Sequence, residues 1–110
     1  MTDKAIIINT VIALPDVITQ LYLSPAGGAG TIVTAFTATN DSGASSSYKA
    51  YIYNSSGSVV NTVIPMTIIV KDRFHSGPSI VNQVVPAGGT IRAENSTGDA
   101  LNFYATGREQ

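Results

Sequence analysis

Leu21-Tyr22-Leu23-Ser24-Pro25-Ala26-Gly27-Gly28 leads, two residues later, into Thr31-Ile32-Val33-Thr34-Ala35-Phe36-Thr37-Ala38-Thr39-Asn40. The same phrase returns as Ile80-Val81-Asn82-Gln83-Val84-Val85-Pro86-Ala87-Gly88-Gly89, running straight into Thr90-Ile91-Arg92-Ala93-Glu94-Asn95. Each copy is an apolar strand-like run, a Pro-Ala-Gly-Gly turn and a second strand-like run. Proline presets φ for the second position of a β-turn, and glycine supplies positive φ at little steric cost. Each phrase therefore reads as a hairpin corner, with both corners expected at one end of a sandwich. Two copies are too few for a solenoid.

Outward from these corners the chain stays β-prone: Val, Ile, Thr and Tyr dominate, and the strong helix formers are scarce. Lys4 to Leu14 is a β-branched run closed by Pro15 and the turn residue Asp16, and its two halves are expected to pair with different neighbours. In the run from Thr31 to Asn40, Ile32 and Phe36 share one parity while Val33 and Ala35 share the other, which predicts that both faces are partly covered. Tyr48, Ala50 and Ile52 form one face of the next strand, and Lys49, Tyr51 and Tyr53 the other. Asn54 to Gly57 is a turn, Val59 to Val63 and Met66 to Lys71 are two strands parted by Pro65, and Lys71 to Pro78 is the most distinctive loop. Asn95 to Asp99 turns the chain into a last strand, in which Leu101 and Phe103 face the same way. This spacing predicts one all-β domain over residues 1–110, an antiparallel β-sandwich of jelly-roll-like design with about eight or nine short strands and no significant helix. Residues 1–9 are expected as an N-terminal arm and residues 107–110 as a flexible tail.

Composition narrows the function. Charged residues are 12% of the chain, about half the usual share, while hydrophobic residues are 44%. So uncharged a surface suits a protein that lives against other subunits; it also arises in any Thr-rich β-protein. The net charge of −1 gives no basic field to hold nucleic acid or an anionic membrane, so neither partner is expected. The absence of cysteine excludes disulfides, thiolate chemistry and cysteine-based metal sites. The apolar run in Met1 to Asn9 is too short for a signal-peptide core, so synthesis in a cytoplasm is expected.

Catalytic signatures are lacking. His75 is the single histidine, with no Gly-x-Ser-x-Gly elbow to supply a nucleophile, and it reads as an exposed loop residue. Asp16, Asp41, Asp72 and Asp99 each fall in a separate turn, which is not the convergence that a metal requires. The corner Gly27-Gly28-Ala29-Gly30 precedes a strand and lacks the lysine of a phosphate loop. No enzyme activity, metal or cofactor is expected. Acceptor sequons begin at Asn40, Asn54 and Asn95, each in an expected turn and expected to remain unmodified. Tyr22, Tyr48, Tyr51, Tyr53, Phe103 and Tyr104 admit a sugar-stacking stripe, although tyrosines on adjacent strands more often serve as half-buried sheet residues or interface anchors.

Taken together, Leu21 to Gly27, Thr31 to Asn40, Val85 to Thr90 and the closing Asp99-Ala100-Leu101-Asn102-Phe103-Tyr104-Ala105-Thr106-Gly107-Arg108-Glu109 resemble the small β-sandwich virion proteins of tailed bacteriophages. The resemblance covers most of residues 19–109. It implies a structural protein of the virion, made in the host cytoplasm, that decorates or cements the capsid or completes the neck, collar or tail. Its implied partners are copies of itself in a homo-oligomer and other virion proteins, the major capsid or a connector protein. No catalytic residue follows from it. Expected contact residues are Ile6, Ile7 and Ile8 in the arm, Tyr51 and Tyr53 on their strand, Arg73, Phe74 and His75 in the loop, and Arg108 in the tail. The second expectation is a carbohydrate- or receptor-binding module of a tail fibre or adhesin, working through the tyrosine-bearing strands and the 40–47 loop.

Overall fold

A computed structural model of the chain describes residues 3–12, 17–40, 43–71, 73–76, 79–95 and 101–110. The described residues form β1 (Lys4–Ile12), β2 (Ile18–Leu23), β3 (Thr31–Asn40), β4 (Ser46–Tyr53), β5 (Val59–Ile69), β6 (Arg73–Ser76), β7 (Val84–Val85), β8 (Thr90–Asn95) and β9 (Leu101–Glu109). They make two antiparallel sheets. In one the order is β1-β9-β3-β6, with β7 also on β3; in the other it is β2-β8-β4-β5. The pairings are nested: β1 with β9, β2 with β8, β3 with β6 and β7, and β4 with β5. If β6 and β7 are taken as one interrupted edge, this is the eight-strand jelly roll, a long antiparallel ribbon folded over on itself.

Alternation along the strands builds the core between the sheets. Val33, Phe36, Ala38, Leu101, Phe103 and Ala105 from one sheet meet Tyr48, Ala50, Ile52, Ile91 and Ala93 from the other, all buried. The rings of Phe36, Tyr48 and Phe103 form its centre, with centroids 5.4 to 6.5 Å apart. A bulge accounts for the mixed parity of β3. Val33 lies opposite Gly107 but Ala35 opposite Thr106, so Thr34 is an extra residue that returns Phe36 to the inner face. The two-sided covering that parity predicts is in fact one buried face whose phase shifts midway.

The two Pro-Ala-Gly-Gly corners are not hairpins. β2 and β3 lie in different sheets, as do β7 and β8, so each corner carries the chain across the sandwich. They do stand side by side at one end, joined by hydrogen bonds from Ser24 N to Gly89 O (2.8 Å) and from Gly88 N to Ser24 O (3.1 Å). Proline also occupies the first turn position, not the second: Pro86 O accepts from Gly89 N at 2.8 Å, and Pro25 O from Gly28 N at 3.4 Å. The positive φ falls on Gly88 (73°) in the second corner and on Gly30 (105°), beyond the turn, in the first.

Several expected boundaries move. Val59–Ile69 is one strand, and it accommodates Pro65 because β5 is an edge strand whose register with β4 shifts between Tyr48/Thr67 and Ala50/Ile64. The expected 71–78 loop contains edge strand β6, paired with Thr37–Asn40. Of the strand-like run 80–85 only Val84–Val85 pairs, since Asn82 takes a φ of 70° and turns the chain. Lys4–Ile12 pairs along its whole length with β9, not with two neighbours, and it forms the edge of its own sheet where a detached arm was expected. The expected tail is held too: Gly107 to Glu109 belong to β9, and Gln110 exchanges backbone hydrogen bonds with Ala29 and Gly30. The expected features at Leu14, Pro15, Asp16, Asp41, Asp72, Gly77, Pro78 and residues 96–99 lie outside the described residues.

Candidate interaction surfaces

The expected contact residues separate into three environments. Ile7 is core, 1% exposed, and Ile6 packs against it. His75 points inward from β6, where its Nδ1 lies 2.7 Å from the Tyr48 hydroxyl. Burial holds the His75 imidazole below its ordinary pKa and raises that of Tyr48, so the neutral ring accepts the phenol proton. The expectation of a loop histidine available for contact is therefore corrected: it ties edge strand β6 to the core.

Tyr51 and Tyr53 stand on the outer face of the β2-β8-β4-β5 sheet. Here the two central strands, β8 and β4, present Arg92, Glu94, Lys49, Tyr51 and Tyr53. Lys49 is in register with Glu94 and Tyr51 with Arg92. The Tyr51 hydroxyl donates to Glu94 Oε1 (3.2 Å), the Arg92 guanidinium sits 4.4 Å from the Tyr53 ring centroid, and Arg92 Nε donates to Thr90 Oγ1 (3.0 Å). The two tyrosine rings meet edge to face at 6.2 Å. Tyr51, Glu94, Arg92 and Tyr53 are thus linked to one another across the face. Tyr22, Tyr48 and Phe103 are buried and Tyr104 is on the opposite sheet, so the six aromatics form no single stripe.

Ile8 and Phe74 stand on the outer face of the other sheet, 64% and 67% exposed, with Tyr104 of β9 between them at 45%. Its central strands, β9 and β3, face outward with Asn102, Tyr104, Thr106, Thr34, Ala35, Thr37 and Thr39; the first ionised group along β9 is Arg108 at the rim. Val84 extends the apolar surface on β7. Tyr104, which the sequence reading placed in the aromatic set and not among the expected contacts, is exposed on this face. The alternation Leu101-in, Asn102-out, Phe103-in, Tyr104-out was its available signal.

Charge gathers at the corner end. Tyr22 OH donates to Glu109 Oε2 (2.5 Å), and Thr31 Oγ1 lies 2.8 Å from both Tyr22 OH and Ser24 Oγ. Because a carboxylate only accepts, the proton chain runs Ser24 to Thr31 to Tyr22 to Glu109. Lys4 pairs with the same carboxylate and holds its pKa down, whereas burial and then Glu109 push the Tyr22 phenol up to about 12. Arg108, an expected contact, pairs with Asp3 at 2.5 Å, and Arg73 is exposed.

Asn40 and Asn95 are fully buried. Asn40 Nδ2 donates to the carbonyls of Ala44 and Ile69, and Asn95 Oδ1 accepts from Ser46 Oγ, so neither sequon is open to modification. Asn54 caps its turn by accepting from Ser56 N and Ser58 N. Among the described residues, no three His, Cys, Asp or Glu side chains come together as a metal would require.

No family model matches the sequence, and no curated protein is similar to it. The fold is similar to a chain of the T13 IBDV viral particle, whose crystal structure is described as revealing a missing link in icosahedral virus evolution. The TM-score is 0.59 at 9% identity, over 98% of this chain and 31% of that one. The present chain thus spans less than a third of the capsid-particle chain's length, and the likeness is one of fold: a jelly roll that a viral particle also uses.

Proposed function

We propose that this chain is a non-enzymatic structural protein of a tailed-phage virion, one that decorates or cements the capsid or completes the head–tail neck through protein–protein contacts. The observation that supports this most is the jelly roll with a broad outer sheet face whose central strands carry no ionised side chain short of the rim. Such a face is costly for a solitary soluble domain and natural for a subunit. The viral-particle neighbour supports the same reading at the level of fold. Purified virions probed with gold-labelled antibody against the chain should carry label on the head or at the neck; virions without label would overturn the reading. The glycan-binding alternative rests on Tyr51 and Tyr53, which are half-buried, and Arg92 already lies over the Tyr53 ring where a sugar would stack.

A further inference from the structure

We infer that the outer face of the β1-β9-β3-β6 sheet is the contact surface for a second copy of this chain, packed face to face about a two-fold axis. The inference deepens the structural-protein reading and rests on it. Three observations favour a second copy over an unlike partner. The centre of the face holds threonines, Asn102 and Tyr104 and no charge, so it neither repels its own image nor selects a partner of opposite sign. The exposed apolar groups sit on the two outermost strands, Ile8 on β1 and Phe74 on β6, with Tyr104 on β9 between them. A two-fold axis running along the sheet between β9 and β3 therefore lays edge strand β1 of each copy over edge strand β6 of the other, with Ile8 and Phe74 about two residues apart along that seam, and Tyr104 over the threonine row of β3. The same patch serves both partners, as an isologous interface demands.

Size is the third observation. The face is four strands wide and up to ten residues long. At about 4.8 Å between strands and about 3.3 Å per residue this is roughly 600 Å² of sheet, near the ~800 Å² per partner of a standard interface. The opposite outer face is the poorer candidate, because Lys49, Arg92 and Glu94 lie on its two central strands and all three charges would have to be stripped of water there.

The test is light scattering across a dilution series on the full chain, its Tyr104→Lys variant and a control, Tyr53→Lys, on the opposite face. The wild type should pass from monomer to dimer with rising concentration. Tyr104→Lys should raise the dissociation constant at least tenfold while leaving the urea midpoint in place, and Tyr53→Lys should leave association unchanged. The chain has no cysteine of its own. An equal mixture of Ile8→Cys and Phe74→Cys proteins, treated with a bis-maleimide that spans about 10 Å, should therefore cross-link more than either variant alone. A strict monomer, or a dimer that tolerates Tyr104→Lys, would overturn the inference. A monomer that labels virions, and loses that labelling on Tyr104→Lys, would assign the face to another virion protein; a dimer missing from virions would sink the virion reading and keep the interface.

Discussion

The two sheets share one core and present opposite outer faces. On β8 and β4 the outward residues are ionised or phenolic, and four of them are linked in pairs, with Glu94 receiving Tyr51 and Arg92 lying on Tyr53. On β9 and β3 they are threonines, Asn102 and Tyr104, flanked by Ile8 and Phe74 on the edges. Both faces are polar at their centres, but only the second combines an uncharged centre with the exposed apolar groups Ile8, Phe74 and Tyr104. The difference teaches that the two sheets differ in where charge sits: Lys4, Arg73, Arg108 and Glu109 lie at the edges and rim of the β1-β9-β3-β6 sheet, whereas Lys49, Arg92 and Glu94 lie on the central strands of the other.

Adjacent residues on β9 provide the sharpest contrast and the largest effect. Phe103 touches both Phe36 and Tyr48, so Phe103→Ala should cost about 3–5 kcal/mol in urea denaturation. Tyr104→Ala, one residue on and facing outward, should cost less than about 1 kcal/mol and act on association instead. Comparable losses at the two positions would erase the distinction between core and contact face.

Next in size is Tyr48→Phe, which keeps the ring packing and removes the hydrogen bond to His75. A loss of about 1–2 kcal/mol is expected, together with faster amide exchange in β6, the strand that carries Phe74. Acid should act through the same bond. His75 is held below its ordinary 6.5 by burial, so between that lowered value and 6.5 the unfolded chain binds more protons than the folded one. Its contribution is therefore fully present above pH 6.5 and is lost as pH falls through the lowered value. Urea midpoints measured from pH 7.5 down to 5 should decline more in the wild type than in His75→Gln. The smallest effect belongs to the charged face: Arg92→Ala should change stability by no more than about 0.5 kcal/mol and leave association as it was. A larger change in either would mean that both faces are contact surfaces.

Much of this was legible in the residues, and the failures have definite causes. Strand alternation grouped Tyr48, Ala50 and Ile52 on one face and Leu101 and Phe103 on another, and these are the faces the core buries. Parity misread β3, because a bulge at Thr34 is invisible to a fixed period. The two corners share the letters Pro-Ala-Gly-Gly and were placed correctly together, yet their role was mistaken. A tight turn signals a reversal of direction but not which sheet receives the chain afterwards. Even their geometry diverges, with positive φ inside the turn at Gly88 and beyond it at Gly30. Of the expected contact residues, Ile8 and Phe74 are exposed, whereas Ile7 is buried and His75 is bonded to Tyr48, since adjacent residues on a strand point to opposite faces. Tyr104 was grouped with five aromatics that the fold sends to other places, three of them buried, so the set hid its separate exposure on β9.

The nested pairing also sets an order in time. Among the described strands only β4 and β5 are both consecutive in sequence and paired, through the short turn at Asn54–Ser58; every other pair waits for a more distant partner. Short loops close first, so the ribbon should zip outward from that hairpin, and topologies of this kind fold in roughly milliseconds to seconds. β1 is the last to be covered, for its partner β9 begins at Leu101. A nascent chain must therefore carry Ile6-Ile7-Ile8 unpaired until almost all of the domain has been synthesised.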